Sequence, residues 1–236
     1  MNLLAIDTST ECMSVAVQRT IRTAANDDLT SLWQHTAAGG ANSSIHLIPC
    51  ILHLMQQAQL ALTDLDALVF GAGPGSFTGL RTACSVAQGL GFGADVPVLP
   101  VNTLLAVAEE SRWQSGVPDR FAVTALLDAR MGEIYAGSFA FEAGIWSVVR
   151  DSGLINPSNA EWDGITVLAG NVFALTGWVW PDAVQQIMAL PTATAMLRLA
   201  PGLLAAGLAV SADQALPTYI RDKVAQTTLE RLQAVV

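Results

Sequence analysis

The chain has 236 residues, enough for one large domain or two lobes around a real core. Its residues are 52% hydrophobic and only 13% charged, about half the ~25% charged share of an ordinary soluble domain, so apolar surface is either left bare or covered by a partner, and a partner is expected. A net charge of −9, with Lys223 the only lysine and the arginines scattered from Arg19 to Arg231, argues against a chain that grips nucleic acid by itself, because such affinity rests on cations neutralising phosphates.

Cys12, Cys50 and Cys84 are odd in number, far apart and without CxxC spacing. That argues against a disulfide framework or a zinc knuckle and suits a reducing compartment. The opening MNLLAIDTST has no basic leader, and apolar runs such as LLAAGLAV fall short of the ~20 residues of a membrane span. A soluble, cytoplasmic protein is expected.

In chain order, NLLAI is an apolar run ending at Asp7, DTST a tight polar turn, and CMSVAVQ a second, antiparallel strand. A third strand is predicted near Leu32 and Trp33, with His35 in a polar loop. Ser43 and Ser44 offer caps for a helix over IHLIPCILHLMQQAQLAL, in which Pro49 is either tolerated or kinks the helix. ALVF is a buried strand that leads through GAGPGSFTGLRTA into a helix from about Thr78 to Gly93. VPVLPV is a strand and TLLAVAEESRW a helix. The second half begins again with RFAVTALLDAR, an apolar run that ends in an acidic turn as the first one does. EIYAGSFAF and IWSVVR are strands, GITVLAGN is a strand into a glycine turn, TAMLRLAPGLLAAGLA is a helix, and the tail from Leu216 starts extended and finishes helical. Two copies of a strand-strand-strand-helix-strand pattern, each with an Asp closing its first strand, predict a two-lobed α/β protein.

The glycine loop matches no phosphate or nucleophile template. Leu80 and Arg81 follow Gly79 where a P-loop has Lys and Ser/Thr, Ser76 stands at the last glycine of GxGxxG, and Pro74 and Thr78 replace the glycines of GxSxG. A strand-to-helix turn capped by Ser76 or Thr78 remains. The following helix is rich in small residues, Ala83, Ser85, Ala87, Gly89, Gly91 and Gly93. Glycine inside a helix costs up to ~1 kcal/mol relative to alanine, which close approach of another helix would offset. The preceding helix is apolar on more than one face, as a helix covered on both sides would be. Either both helices lie in this chain's own core, or they join an intermolecular bundle.

LLAIDTST, GAGPGSFTGLRTA, LLDARMGEIYA and PTYIRDKVA together resemble the bacterial TsaB (YeaZ) family, from Asp7 to Ala225. The resemblance implies an actin-like ATPase (ASKHA) fold, α/β, with two lobes each carrying a mixed sheet flanked by helices. Residues 1–102 plus 218–236 would form the first lobe, and residues 103–217 the second. It implies a non-catalytic subunit needed for threonylcarbamoyl transfer to adenosine 37 (t6A) of tRNAs reading codons that start with A, paired with the transferase TsaD and working with the ATPase TsaE. Alone, the chain would form a homodimer, and tRNA would reach it only through the complex. The family uses its first two helices for these contacts, which falls on Ile45, Leu47, Ile48, Ile51, Leu52, Met55, Thr78, Arg81, Ala83, Ser85, Ala87 and Gly89.

TsaD-type chains carry a metal-binding HxxxH where this chain has Thr103 and Val107, so no metal site and no metalloprotease-like activity is expected. His46 and His53 are seven apart, about 10 Å along a helix, too far for one ion. Asp7, Thr8, Thr10, Asp128 and Gly170 hold the superfamily's nucleotide positions, but Ser9 stands where a glycine is usual. These carboxylates either face magnesium and phosphate or form turns by local hydrogen bonds. The resemblance implies no cofactor of this chain's own, weak nucleotide binding at most, and ATP and a metal ion in the partner subunits. The alternative is an autonomous actin-fold ATPase or phosphotransferase using Asp7 and Asp128.

Overall fold

The structure is a computed structural model and describes every residue except 23–27, 41–42, 118, 158–159, 161, 163, 176–177, 183 and 222–236. The predicted helical end of the tail, with Lys223 and Arg231, lies outside the described residues.

β1 (Leu3–Asp7) is buried along its whole length, which is why its sequence reads as an unbroken apolar run. It pairs antiparallel with β2 (Cys12–Arg22) and parallel with β4 (Ala67–Gly73). β3 (Asp28–Ala38) and β5 (Val98–Asn102) complete a sheet in the order β3-β2-β1-β4-β5. Side chains alternate across the strands. Leu4, Ile6, Leu68 and Phe70 pack under α1 (Ser43–Ala58) and α2 (Phe77–Ala94). Leu3, Ala5, Ala67 and Val69 face the opposite way, onto α4 (Ala193–Ala205).

The second sheet runs β10-β9-β6-β7-β8, from β6 (Arg120–Asp128), β7 (Ile134–Glu142), β8 (Ile145–Ile155), β9 (Val167–Gly170) and β10 (Gln185–Met188). Each sheet thus reads third-second-first-fourth-fifth in its own strand order, so the repeat seen weakly in the sequence is a repeat of topology. This is the expected two-lobed α/β arrangement, with a mixed sheet in each lobe. α3 (Thr103–Ser115) lies between the lobes, with Leu104, Val107 and Ala108 on the second sheet and Ala106 on the first.

The second lobe departs from the predicted pattern. Among the described residues no helix joins β8 to β9, and the outer face of the sheet is covered by Trp162, Phe173 and Trp178, which each meet Trp180 edge-on. α4, grouped with residues 103–217 from the sequence, buries Ala193, Met196, Leu197 and Ala200 on the first sheet instead. The chain also returns to the first lobe before residue 218, because Val210 bridges Val98 and Ala212 and Ala215 enter the first core. Helical periodicity shows which face is apolar but not which sheet it covers.

Smaller differences have local causes. α1 already includes Ser43 and Ser44 and runs on through Pro49. It stops at Ala58 because Gln59 turns left-handed (φ 54°), short of the predicted Leu62. His35 sits in β3 rather than in a loop. No helix among the described residues is long and apolar enough to cross a membrane.

Candidate functional site

A cleft of about 370 Å³ opens between the lobes, lined by Ser9, Thr10, Ser76, Asp128, Asn171 and Tyr219 among others. The glycine loop and the DTST turn meet at its floor, on each other. The Ser76 amide donates to the Ser9 carbonyl (2.7 Å), and the Thr8 hydroxyl donates to the Gly79 carbonyl (2.7 Å). A Cβ on Gly75 would stand 2.6 Å from the Ser9 carbonyl oxygen, and one on Gly79 would overlap the Thr8 carbonyl. The glycines are therefore needed so that the chain's own turn can fill the space beneath the loop. Ser76 caps α2 by accepting from the Gly79 amide (3.4 Å).

Asp7 is fully buried and does not line the cleft. Its Oδ1 accepts from the Ser9 amide (3.0 Å) and hydroxyl (2.9 Å), whereas Oδ2 is buried with no hydrogen-bond partner and lies against Gly71. Burial pushes the carboxyl up to about 7, against the lowering effect of the Ser9 bonds. Thr8 is buried with its hydroxyl committed, and Gly170 packs on the Leu126 carbonyl rather than on the cleft. Thr10 and Asp128 do line the cleft. Asp128 accepts from the Arg130 amide (2.8 Å) and pairs with the Arg130 guanidinium (2.9 Å), while its own amide donates to Asn171. A magnesium–triphosphate group needs free carboxylate oxygens and amides that point into open space. One carboxylate is buried, the other is paired, and the loop is filled, so these residues do not fit that group.

The positions matched to the histidine pair are occupied structurally. The Thr103 hydroxyl donates to the Pro74 carbonyl, bracing the glycine loop, and Val107 is in the second core. Among the described residues no group of three or more His, Cys, Asp or Glu could hold a metal ion.

The two helices named for partner contact divide cleanly by face. Leu47, Ile51 and Met55 of α1, and Ala83 and Ala87 of α2, are buried in this chain's first core and are corrected to core residues. Each stands on the helix face turned to the sheet. Ile45 (66% exposed), Ile48 (44%) and Leu52 (52%) form the opposite, bare edge of α1. On α2 the exposed row is Thr78, Arg81, Ser85 and Gly89, followed by Phe92 at 80% exposure. Gly89 and Gly93 have nothing within 4 Å of a built Cβ, so they leave a shallow open strip. His46 and His53 are exposed on α1.

Two further clusters escaped the reading of the sequence. Phe77, Arg81 and Tyr219 come together across 138 residues at the mouth of the cleft. The GSFTGLR and PTYIR strings contained all three, but nothing in the spacing says that they meet. The other cluster is Glu109, which is 2% exposed and accepts from Arg112 Nε (2.9 Å) and Nη2 (3.0 Å), Arg198 Nε (2.8 Å) and Trp146 Nε1 (3.1 Å). Burial alone would raise its carboxyl, yet the bonds from Arg112, Trp146 and Arg198 outweigh that and hold it below the ordinary value. Arg198 lies on α4 and Trp146 on β8, so the cluster ties the helix on the first sheet to the second sheet.

A family model described as "TsaD: tRNA N6-adenosine threonylcarbamoyltransferase" matches residues 29–161. The Escherichia coli (strain K12) protein named tRNA threonylcarbamoyladenosine biosynthesis protein TsaB is 34% identical over 236 residues, 95% of this chain and 96% of that one. The chain belongs to the TsaB family. The TsaB of Haemophilus influenzae is also 34% identical, over 95% of both chains. YeaZ from Pseudomonas aeruginosa, another name for the same family, superimposes with a TM-score of 0.74 at 34% identity, over 92% of this chain and 99% of that one. TsaB membership thus spans both lobes, the cleft and the exposed edges of α1 and α2.

Proposed function

We propose that the chain is a non-catalytic subunit required for making threonylcarbamoyladenosine at position 37 of tRNAs that read codons starting with A. It docks a TsaD-type transferase through the exposed edges of α1 and α2, works with TsaE in the cytoplasm, and meets tRNA only within that assembly. The observation that carries this reading is the row Ile45, Ile48 and Leu52, bare beside the open strip at Gly89 and Gly93 in a chain of this family. Fully covering an aliphatic side chain of this size contributes about 1.5–3 kcal/mol, so these three, each about half exposed, supply part of the contact and the rest comes from the close approach of a helix along the strip. When no transferase is present, a second copy of the chain covers the same edge. The cleft requires no nucleotide of its own, since Asp7 is sealed from it and Asp128 is ion-paired.

The test is co-purification with the TsaD of the same cell, followed by threonylcarbamoyl transfer reconstituted with TsaE, ATP and tRNA. Leu52→Glu should abolish co-purification and transfer while the monomer keeps its circular dichroism spectrum. Full pairing and full transfer by Leu52→Glu would remove the proposal. Ala87 is unsuited to this test, because a charge there would enter the core.

A further inference from the structure

Arg81 is exposed on α2, one turn from the N-terminus of the helix, yet it is not free to move as a surface arginine is. Its guanidinium carbon lies 3.9 Å from the centroid of the Phe77 ring, and its Nε donates to the Tyr219 hydroxyl at 3.0 Å. The two rings are themselves packed, with centroids 5.2 Å apart. One face and one edge of the guanidinium are therefore fixed, and the remaining edge, Nη1 and Nη2, has no partner among the described residues. The other arginines near the cleft are neutralised, Arg130 by Asp128 and Arg221 by Glu133. Arg81 has no carboxylate partner among the described residues.

A planar fork held in one orientation matches the two oxygens of a carboxylate, and the ordering of a long side chain, normally lost on binding, is already done. The geometry points to Arg81 as the charged anchor of the docking face, receiving a single Asp or Glu side chain of the transferase that covers α1 and α2. This rests on the docking reading above, and it names what that face selects. Arg81 shares its exposed row with Ser85, Gly89 and Phe92, so it stands at the N-terminal end of the strip that the partner helix covers. An RNA phosphate is disfavoured as the occupant, because the chain carries a net −9 and, among the described residues, the neighbouring arginines Arg130 and Arg221 are already ion-paired. A nucleotide in the cleft is disfavoured too, since Arg81 does not line it.

The experiment measures affinity for purified TsaD by titration calorimetry at 0.1 and 0.5 M NaCl. Arg81→Ala should weaken binding about 10- to 100-fold, the effect of removing a charge-assisted bidentate contact, and should flatten the salt dependence. Arg81→Lys should not restore binding, because an ammonium cannot present the fork. One acidic residue on TsaD, found by alanine replacement of its surface carboxylates, should show loss that is not additive with Arg81→Ala in a double-mutant cycle. Leu52→Glu separates the two claims. If it abolishes binding while Arg81→Ala and Arg81→Lys bind as wild type, docking stands and the anchor is refuted. If Leu52→Glu also binds as wild type, docking itself is refuted. Competition by 5 mM inorganic phosphate, as strong on wild type as Arg81→Ala, would reassign the fork to phosphate.

Discussion

Asp7 offers a quantitative test of how the cleft floor is built. Its carboxyl is fully buried, Oδ2 has no partner, and burial raises it from 3.8 to about 7. Between those values the unfolded chain has released the proton and the folded chain has not, so stability is greatest below pH ~4 and falls as pH rises towards 7. One pKa unit corresponds to about 1.4 kcal/mol, so the roughly three units amount to about 4 kcal/mol lost across that range, and no more is lost above it. Asp7→Asn removes the titration. An Asn amide at the Oδ2 position also lacks an acceptor and costs about 1–3 kcal/mol at every pH, so the sign of the effect at a single pH is uninformative and the slope is the quantity to read. Urea unfolding followed by tryptophan fluorescence from pH 5 to 8 should show wild type losing stability relative to Asp7→Asn by about 1.4 kcal/mol per unit up to pH 7, then running parallel to it. A difference that stays flat over pH 5–7 would mean that Asp7 is ionised in the folded chain, and the account of a sealed floor would be wrong.

Glu109→Ala should cost about 3–5 kcal/mol, because Arg112 and Arg198 are left largely buried without their shared carboxylate; a loss under about 1 kcal/mol by urea unfolding would deny the cluster a role in joining the lobes. Gly79→Ala should destabilise by about 1–3 kcal/mol through overlap with the Thr8 carbonyl. Gly89→Ala, in open space within a helix, should stabilise the isolated chain by about 0.5–1 kcal/mol yet weaken its pairing with TsaD, and thermal melts with pull-downs would read both. Purified chain with ATP and magnesium should show no turnover; robust hydrolysis lost in Asp128→Asn would favour the autonomous ATPase.

Much of the fold was legible because local chemistry and burial agree. LLAI and ALVF are unbroken apolar runs since their strands are covered on both faces, and GAGPGSFTGLRTA had to be a turn into a helix whatever it held. The internal repeat showed itself in two strands closing on Asp7 and Asp128, and the structure makes it a shared strand order. Less was legible wherever an apolar pattern could be satisfied in two ways. Leu47, Ile51, Met55, Ala83 and Ala87 have the same chemistry as Ile48, Leu52 and Gly89, and periodicity alone cannot say which set meets the sheet and which meets solvent.

The linear order of residues determined most elements of the first lobe, the absence of phosphate-loop templates, the loss of the histidine pair, and the family. Only the tertiary structure decided that Asp7 turns inward, that the DTST turn fills the glycine loop, that α4 crosses to the first sheet, and that Phe77, Arg81 and Tyr219 form one cluster. Those outcomes depend on contacts between segments up to 179 residues apart, as between Ser14 and Ala193, where the free energy comes from burial and hydrogen-bond geometry that no short window of sequence contains.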